Sequence, residues 1–171
     1  MSGRAPLTLN HAAYPTFDSV ATYRFYTELL RCRLVAAIRK DAVPSTGEAT
    51  PFLHTFYALD SGECIAFFEV EGRTPPTTTD GTPSWIRHIA LTMESLDAVE
   101  SAKERLVEAG VEVIGVVDHD GVWRSIYFFD PNGVRVELTY QTRPLGREDA
   151  DEARRLLETW AAEHGQTLER P

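Results

Sequence analysis

Two stretches of the chain follow the same order of patterns, and such a duplication restricts the fold more than any single motif. "LTLNHAAY" (7–14) alternates polar and apolar residues around a histidine and leads into "FDSVATYRFYTELL", which has helical periodicity. "SWIRHIALTM" (84–93) alternates around a second histidine and leads into "SLDAVESAKERLVEAG". The second helix is expected to start at the N-cap Ser95, to turn Leu96, Val99, Ala102, Leu106 and Ala109 to the core, and to stop at Gly110. The first is expected to cap at Asp18 and to face the core with Val20, Tyr23, Leu29 and Leu30.

Each helix is followed by three strand-like runs. In the first half these are "RLVAAI" (33–38), "PFLHTFYAL" (51–59) and "ECIAFFEV" (63–70); in the second, "VEVIGVV" (111–117), "VWRSIYFF" (122–129) and "VRVELTY" (134–140). The turn signals "DSG" at 60–62 and "DPNG" at 130–133 close the last hairpin of each half. The chain therefore reads as an α+β protein of two βαβββ modules, about 7–71 and 85–141, within a unit spanning 1–145. "GRTPPTTTDGTPS" (72–84) is the linker and "RKDAVPSTGEAT" (39–50) a surface loop. An extension over 146–171 turns helical from about Glu148, places Leu156, Leu157 and Trp160 on one face, and ends at Gly165.

Composition narrows the partners. A formal net charge of −9 without a Lys/Arg run argues against nucleic acid and anionic membranes. No apolar stretch approaches the roughly 20 residues of a membrane helix, and the start lacks a signal-peptide core. Cys32 and Cys64 are too few for a disulfide framework and too far apart for a CxxC site, so reduced thiols in a cytoplasmic protein are expected.

A duplicated βαβββ unit with a histidine in each first strand resembles the vicinal oxygen chelate superfamily, which includes glyoxalase I, extradiol dioxygenases, and fosfomycin and bleomycin resistance proteins. The resemblance covers about residues 7 to 141. It implies a cupped, mixed β-sheet built from both modules, with metal ligands projecting inward from the strands and the C-terminal helix added outside. It also implies a homodimer, a habit of members of this size.

Within that resemblance, His11 and His88 hold equivalent places, and alternation turns each away from the helix-facing side of its strand. Glu137 is the third candidate ligand: Val134, Val136 and Leu138 face the helices, leaving Arg135, Glu137 and Thr139 on the other side. A solvated strand carboxylate is the plainer reading, but an unpaired charge in a central strand is costly. Glyoxalase I would add a fourth ligand from the last strand of the first module. Counting four from the turn glycine reaches Glu137 after Gly133 but Ala66 after Gly62, and alanine cannot bind metal. Glu69 is the nearest carboxylate, on the opposite face unless a bulge intervenes. Two histidines and one carboxylate leave open positions, the arrangement of non-haem Fe(II) oxygen chemistry; Mn would suit similar ligands, and Zn or Ni remain open.

The hairpin "DHDGVWRSIYFFDPNGVRVELTY" (118–140) resembles the signature of extradiol ring-cleavage dioxygenases through Val117, His119, Ile126-Tyr127, Asp130-Pro131, Asn132-Gly133 and Glu137. By that resemblance His119 would hydrogen-bond the metal-bound substrate or oxygen, and Tyr127 would donate to a substrate oxygen. The plainer alternatives are a turn histidine and a core aromatic. The further acid/base histidine of the two-domain enzymes falls at Arg73 here, and His54 is the possible substitute. The pocket is expected to be aromatic, with Phe68, Trp123, Ser125 and Thr139, joined by Phe52 and Phe56 if the His54 face points inward.

Three functions follow from the resemblance. The first is an Fe(II) extradiol-type dioxygenase taking O2 and a catechol-like aromatic. The second is a glyoxalase-like lyase, isomerase or epimerase working through an enediolate, and the third a metal-free module that binds a planar drug.

Overall fold

The structure, a computed structural model, describes residues 5–75 and 81–167. Residues 76–80 of the expected linker lie outside the described residues. The first module runs β1 (His11–Thr16), α1 (Ser19–Arg24), a π-helical turn (Phe25–Leu29), β2 (Arg33–Lys40), β3 (Phe52–Ala58) and β4 (Cys64–Val70). The second runs β5 (His88–Thr92), α2 (Leu96–Glu108), β6 (Ile114–His119), β7 (Trp123–Phe129) and β8 (Arg135–Gln141), and α3 (Arg147–Glu163) follows.

Each module is one four-stranded mixed sheet, ordered β1-β4-β3-β2 and β5-β8-β7-β6. In both, the outer pair is parallel (β1 with β4, β5 with β8) and the rest antiparallel. The registers superpose the repeat: Ala13 pairs with Ala66 where Ala90 pairs with Glu137, and Phe56 with Ala66 where Tyr127 pairs with Glu137. Ala66 is thus the counterpart of Glu137. On β6, the register shifts between Ile114 and Val117, and the shift needs Gly115. Its φ is +114°, and a Cβ there would stand 2.6 Å from the Ser125 carbonyl oxygen.

The helices begin where the cap residues dictate. Asp18 accepts the Val20 and Ala21 N–H groups at 3.0 and 2.9 Å, and Ser95 Oγ accepts Ala98 N–H at 3.1 Å. Val99, Ala102 and Leu106 of α2 are buried as expected and Leu96 packs against the core, but Ala109, the C-cap, is exposed. The first helix corrects half of the expectation: Leu29 and Leu30 do pack against the core. Val20 and Tyr23 are exposed, and Thr22, Phe25 and Tyr26 go to the core. A single apolar stripe presumes one sheet to pack against, whereas this segment lies between two. Tyr26 stacks toward Phe67 and Tyr57 of the first sheet, ring centroids 4.9 and 5.4 Å away, while Phe25 reaches Phe128 of the second at 6.1 Å. Two adjacent aromatics are buried because one serves each sheet, and the π turn (Leu30 N–H to Phe25 O, 3.2 Å) accommodates both.

The helices therefore form the middle layer, and one core of Ile65, Phe67, Tyr57, Leu106, Phe128, Val136 and Leu138 spans both modules. A polar latch crosses it. Asp130 accepts the Asn132 and Val134 backbone N–H groups at 2.8 Å each, Asn132 Nδ2 at 3.1 Å and the Tyr26 hydroxyl at 3.2 Å, and Asn132 Nδ2 also donates to Thr22 at 3.0 Å. Burial pushes the Asp130 carboxyl above its usual value, against the pull of these donors. A raised pKa means that the fold binds the Asp130 proton more tightly than the unfolded chain does. Its contribution is fully present below the unfolded value of about 4 and is lost as pH rises through the folded one. Chemical denaturation of wild type and Asp130→Asn across pH 3 to 7 is expected to show the wild type losing ground to the variant as pH rises.

Candidate functional site

With helices in the middle, the faces opposite the core look outward, the first sheet's away from the second's. On the second sheet that face carries His88 and Ala90 of β5, Ser125 and Tyr127 of β7, and Arg135, Glu137 and Thr139 of β8. His88 Nε2 meets Glu137 Oε2 at 3.0 Å, and the carboxylate is buried. Tyr127 stands edge-on to His88 with ring centroids 6.0 Å apart. Its hydroxyl lies 2.8 Å from Nε2 of His119, the last residue of β6. Burial first, then the Glu137 carboxylate, raises the Tyr127 phenol, which therefore keeps its proton and remains a donor at neutral pH. The Arg135 guanidinium covers the Tyr127 ring at 4.6 Å, a cation–π contact that alternation alone did not single out. Ser125 Oγ and Thr139 Oγ1 bond each other at 2.8 Å beneath the site, and Trp123 is half-buried at its edge.

The first sheet's outer face is aromatic. His54 stacks flat on Phe68 (centroids 3.6 Å apart, planes 7° off parallel), Phe52 stands against Phe68, and Phe56 lies between His54 and His11. Burial lowers the His54 pKa, leaving it neutral at pH 7. Glu69 points the other way: it accepts the Ser19 N–H at 2.9 Å at the start of α1, on the helix-facing side, so β4 brings no fourth ligand to this face.

The three strand histidines share one arrangement. Nδ1 of His11 lies 2.7 Å from Asn10 Oδ1, that of His54 3.0 Å from Phe67 O, and that of His88 3.2 Å from Ile86 O. Those oxygens only accept, so each Nδ1 carries a hydrogen. Nε2 of His11 and of His54 is left to present its lone pair, while Nε2 of His88 faces the Glu137 carboxylate at 3.0 Å and shares a proton with it. Metal-binding histidines are oriented in this way. Asn10 beside His11 is a supporting residue the alternation could not reveal, since it lies before the strand.

Within one chain, however, His11 does not join His88 and Glu137. His11 neighbours His54 and Phe56 on the opposite outer face, and among the described residues no three His, Cys, Asp or Glu side chains form a metal site. The expectation that pseudo-symmetry places both histidines in one intrachain cup is thereby corrected: the helices fill the space between the sheets. The pocket is open for the same reason. The hollow at Tyr127 and Arg135 holds about 90 Å³, too little for an organic ligand, whereas a cavity of about 730 Å³ lies elsewhere, between the modules at Cys64, Ile89 and Met93.

Two mixed four-stranded βαβββ sheets with histidine-bearing first strands define a vicinal-oxygen-chelate protein. The sequence matches the Glyoxalase/Bleomycin resistance protein/Dioxygenase superfamily over residues 8–138, and the chain belongs to that superfamily. Solved structures share the fold at low identity. A glyoxylase/bleomycin resistance protein/dioxygenase domain from Frankia sp. EAN1pec has TM-score 0.66 and 19% identity, covering 80% of this chain and 99% of its own. The fosfomycin resistance protein FosX of Listeria monocytogenes, in a mutant form with Mn(II) and 1S,2S-dihydroxypropylphosphonic acid, has TM-score 0.58 and 22% identity, covering 89% and 99%. A glyoxalase/dioxygenase from Nostoc punctiforme has TM-score 0.59 and 19% identity, covering 83% and 100%. No curated protein matches the chain. Among the described residues no helix is long and apolar enough to cross a membrane.

Proposed function

We propose that the protein is a divalent-metal-dependent cytoplasmic enzyme acting on a small planar substrate, with His88 and Glu137 of one chain and His11 of a second copy as ligands in a homodimer. One observation carries this reading: a buried carboxylate meets an imidazole Nε2 at 3.0 Å while that ring's Nδ1 is tied to a carbonyl, and the matching histidine of the other module is oriented alike. β1 and β5 are both edge strands, so a two-fold axis can set β1 of one copy beside β5 of the other. That contact would complete the cupped sheet between copies and lay the first sheet's aromatic face over the His88–Glu137 pair.

Two imidazoles and one carboxylate suit Fe(II), with Mn, Zn or Ni as alternatives, and an ion held by them would supply Lewis acidity toward substrate oxygens and, as Fe(II), reactivity toward O2. The chain's own residues do the rest. Tyr127 donates its phenolic proton to a substrate oxygen, His119 holds that hydroxyl in place, and Arg135 adds positive charge behind the ring. Phe52, Phe56 and Phe68 offer flat apolar surface to an aromatic ring, which favours a catechol-like substrate and extradiol-type ring cleavage. Protein loaded anaerobically with Fe(II) and then given catechols and O2 should yield coloured ring-fission products. Stoichiometric iron with no oxygen uptake from any catechol would remove the dioxygenase reading. Tyr127→Phe is expected to lower kcat about 100-fold while leaving metal content unchanged, measured by steady-state kinetics and elemental analysis.

His54 favours a second reading. Neutral, with Nδ1 bound to Phe67 O, it offers Nε2 as a base near His11, as a glyoxalase-like lyase, isomerase or epimerase would require. Solvent deuterium exchange next to a substrate carbonyl, without oxygen uptake, would decide for it.

A further inference from the structure

Among the described residues the C-terminal helix lies almost wholly exposed in a single chain. Of its 17 residues only Ala161 is buried, while Leu156, Leu157 and Trp160 are 61%, 51% and 61% exposed on one face. An isolated helix of this length is marginal in water, and a contiguous exposed apolar stripe marks an interaction surface. The edge strand β2 has the matching defect. All eight of its residues are exposed, among them Leu34 on the helix-facing side, Ile38 on the outer side and Val35 at the register shift between them, and one side of the strand has no neighbour among the described residues. Natural sheets protect such edges with a covering helix or loop.

The two surfaces are complementary in charge and length. α3 carries six acidic residues against three arginines. Its internal ion pairs engage Arg147, Arg154 and Arg155, leaving Glu163, which flanks the apolar stripe at helical spacing, without an ion pair among the described residues. Residues 31–40, "RCRLVAAIRK", hold Arg31, Arg33, Arg39 and Lys40 and no acidic residue. Among the described residues Arg33, Arg39 and Lys40 form no ion pair. The helix is about 25 Å long and the strand about 26 Å.

We propose that α3 of one copy docks along the free edge of β2 of a second copy, with Leu156, Leu157 and Trp160 lying across the strand's edge between Leu34 on one face and Ile38 on the other, and Glu163 against the basic end at Arg39 and Lys40. The occupant is a second copy because the acidic, apolar-striped helix and the basic edge strand complement each other in charge and each chain leaves both of its own exposed. A two-fold axis makes the contact twice, so each need bury only about half of a standard 1,600 Å² interface. Trp160, already stacked on His164 at 4.3 Å, enters the contact with its ring held, as an interface anchor should be.

The test uses the full chain with a benzophenone amino acid at Leu157, mixed half and half as 14N and 15N protein and irradiated. Cross-links joining residue 157 to the tryptic peptide 34–39 in mixed-isotope pairs are the expected result. Cross-links confined to one isotope, directed to another segment, or absent would overturn the proposal. In parallel, Leu156→Gln/Trp160→Gln should raise the dimer dissociation constant about 30-fold by sedimentation. Arg39→Glu/Lys40→Glu should also weaken the dimer, with partial recovery on adding Glu163→Arg. Unchanged self-association in both sets, with helicity retained by circular dichroism, would likewise overturn it. Metal content is read separately, so a failed metal centre and a failed α3 contact give different results.

Discussion

An equimolar mixture of His11→Ala and His88→Ala chains, each inactive alone, is expected to regain about a quarter of wild-type activity. In a two-fold dimer each site takes His11 from one chain and His88 with Glu137 from the other. A heterodimer of the two variants concentrates both lesions in one site and leaves the other intact. Random exchange makes half the dimers heterodimers, each with one live site of two, hence the quarter. The expectation follows from the layer order. His11 shares its face with His54 and Phe56, His88 shares its face with Glu137 and Tyr127, and the helices carrying Phe25, Tyr26 and Leu106 lie between. Activity should appear as subunits exchange and be absent from mixtures assayed before exchange. A mixture that stays silent after exchange, confirmed by mass spectrometry of the heterodimer, would place the ligands within one chain or elsewhere.

Glu137→Gln is expected to reduce metal affinity by at least about 100-fold and to take activity with it. Replacing one carboxylate oxygen by an amide nitrogen keeps the shape beside His88 and Tyr127 but removes the negative charge. Even supporting residues around metal ligands cost 10- to 100-fold, as a rough scale, and a charged ligand costs more. Thermal unfolding provides a readout independent of substrate. At metal about 100 times its dissociation constant, the wild type should gain about 2.7 kcal/mol, or roughly 5–10 °C for a chain of this size. The variant should gain almost nothing at the same concentration. Equal metal-induced shifts in both proteins would dismiss Glu137 as a ligand and leave the buried carboxylate paired to His88 alone.

The second module was the more legible half. Ser95 caps α2, Val99, Ala102 and Leu106 are buried, and Val136 and Leu138 face inward with Glu137 outward, because period and capping are local properties of the chain. The count from Gly62 that excluded Ala66 as a ligand agrees with the register, in which Ala66 holds Glu137's place. In the first helix the Asp18 cap and the inward Leu29 and Leu30 follow the local pattern, but Val20 and Tyr23 do not, because burial there depends on having a sheet on either side. Arg135 over Tyr127 and Asn10 against His11 needed coordinates, since neither follows a spacing rule.

Repeat order, strand alternation and helix caps are written in neighbouring residues, so the sequence by itself determined the two βαβββ modules and which face of each strand bears His11, His88 and Glu137. Only the tertiary structure decided which faces meet. The aromatic pair Phe25–Tyr26 and the Asp130 latch join the modules helix-side to helix-side, turning the histidine faces outward. Burying two apolar layers against one another is a long-range choice that no local period encodes.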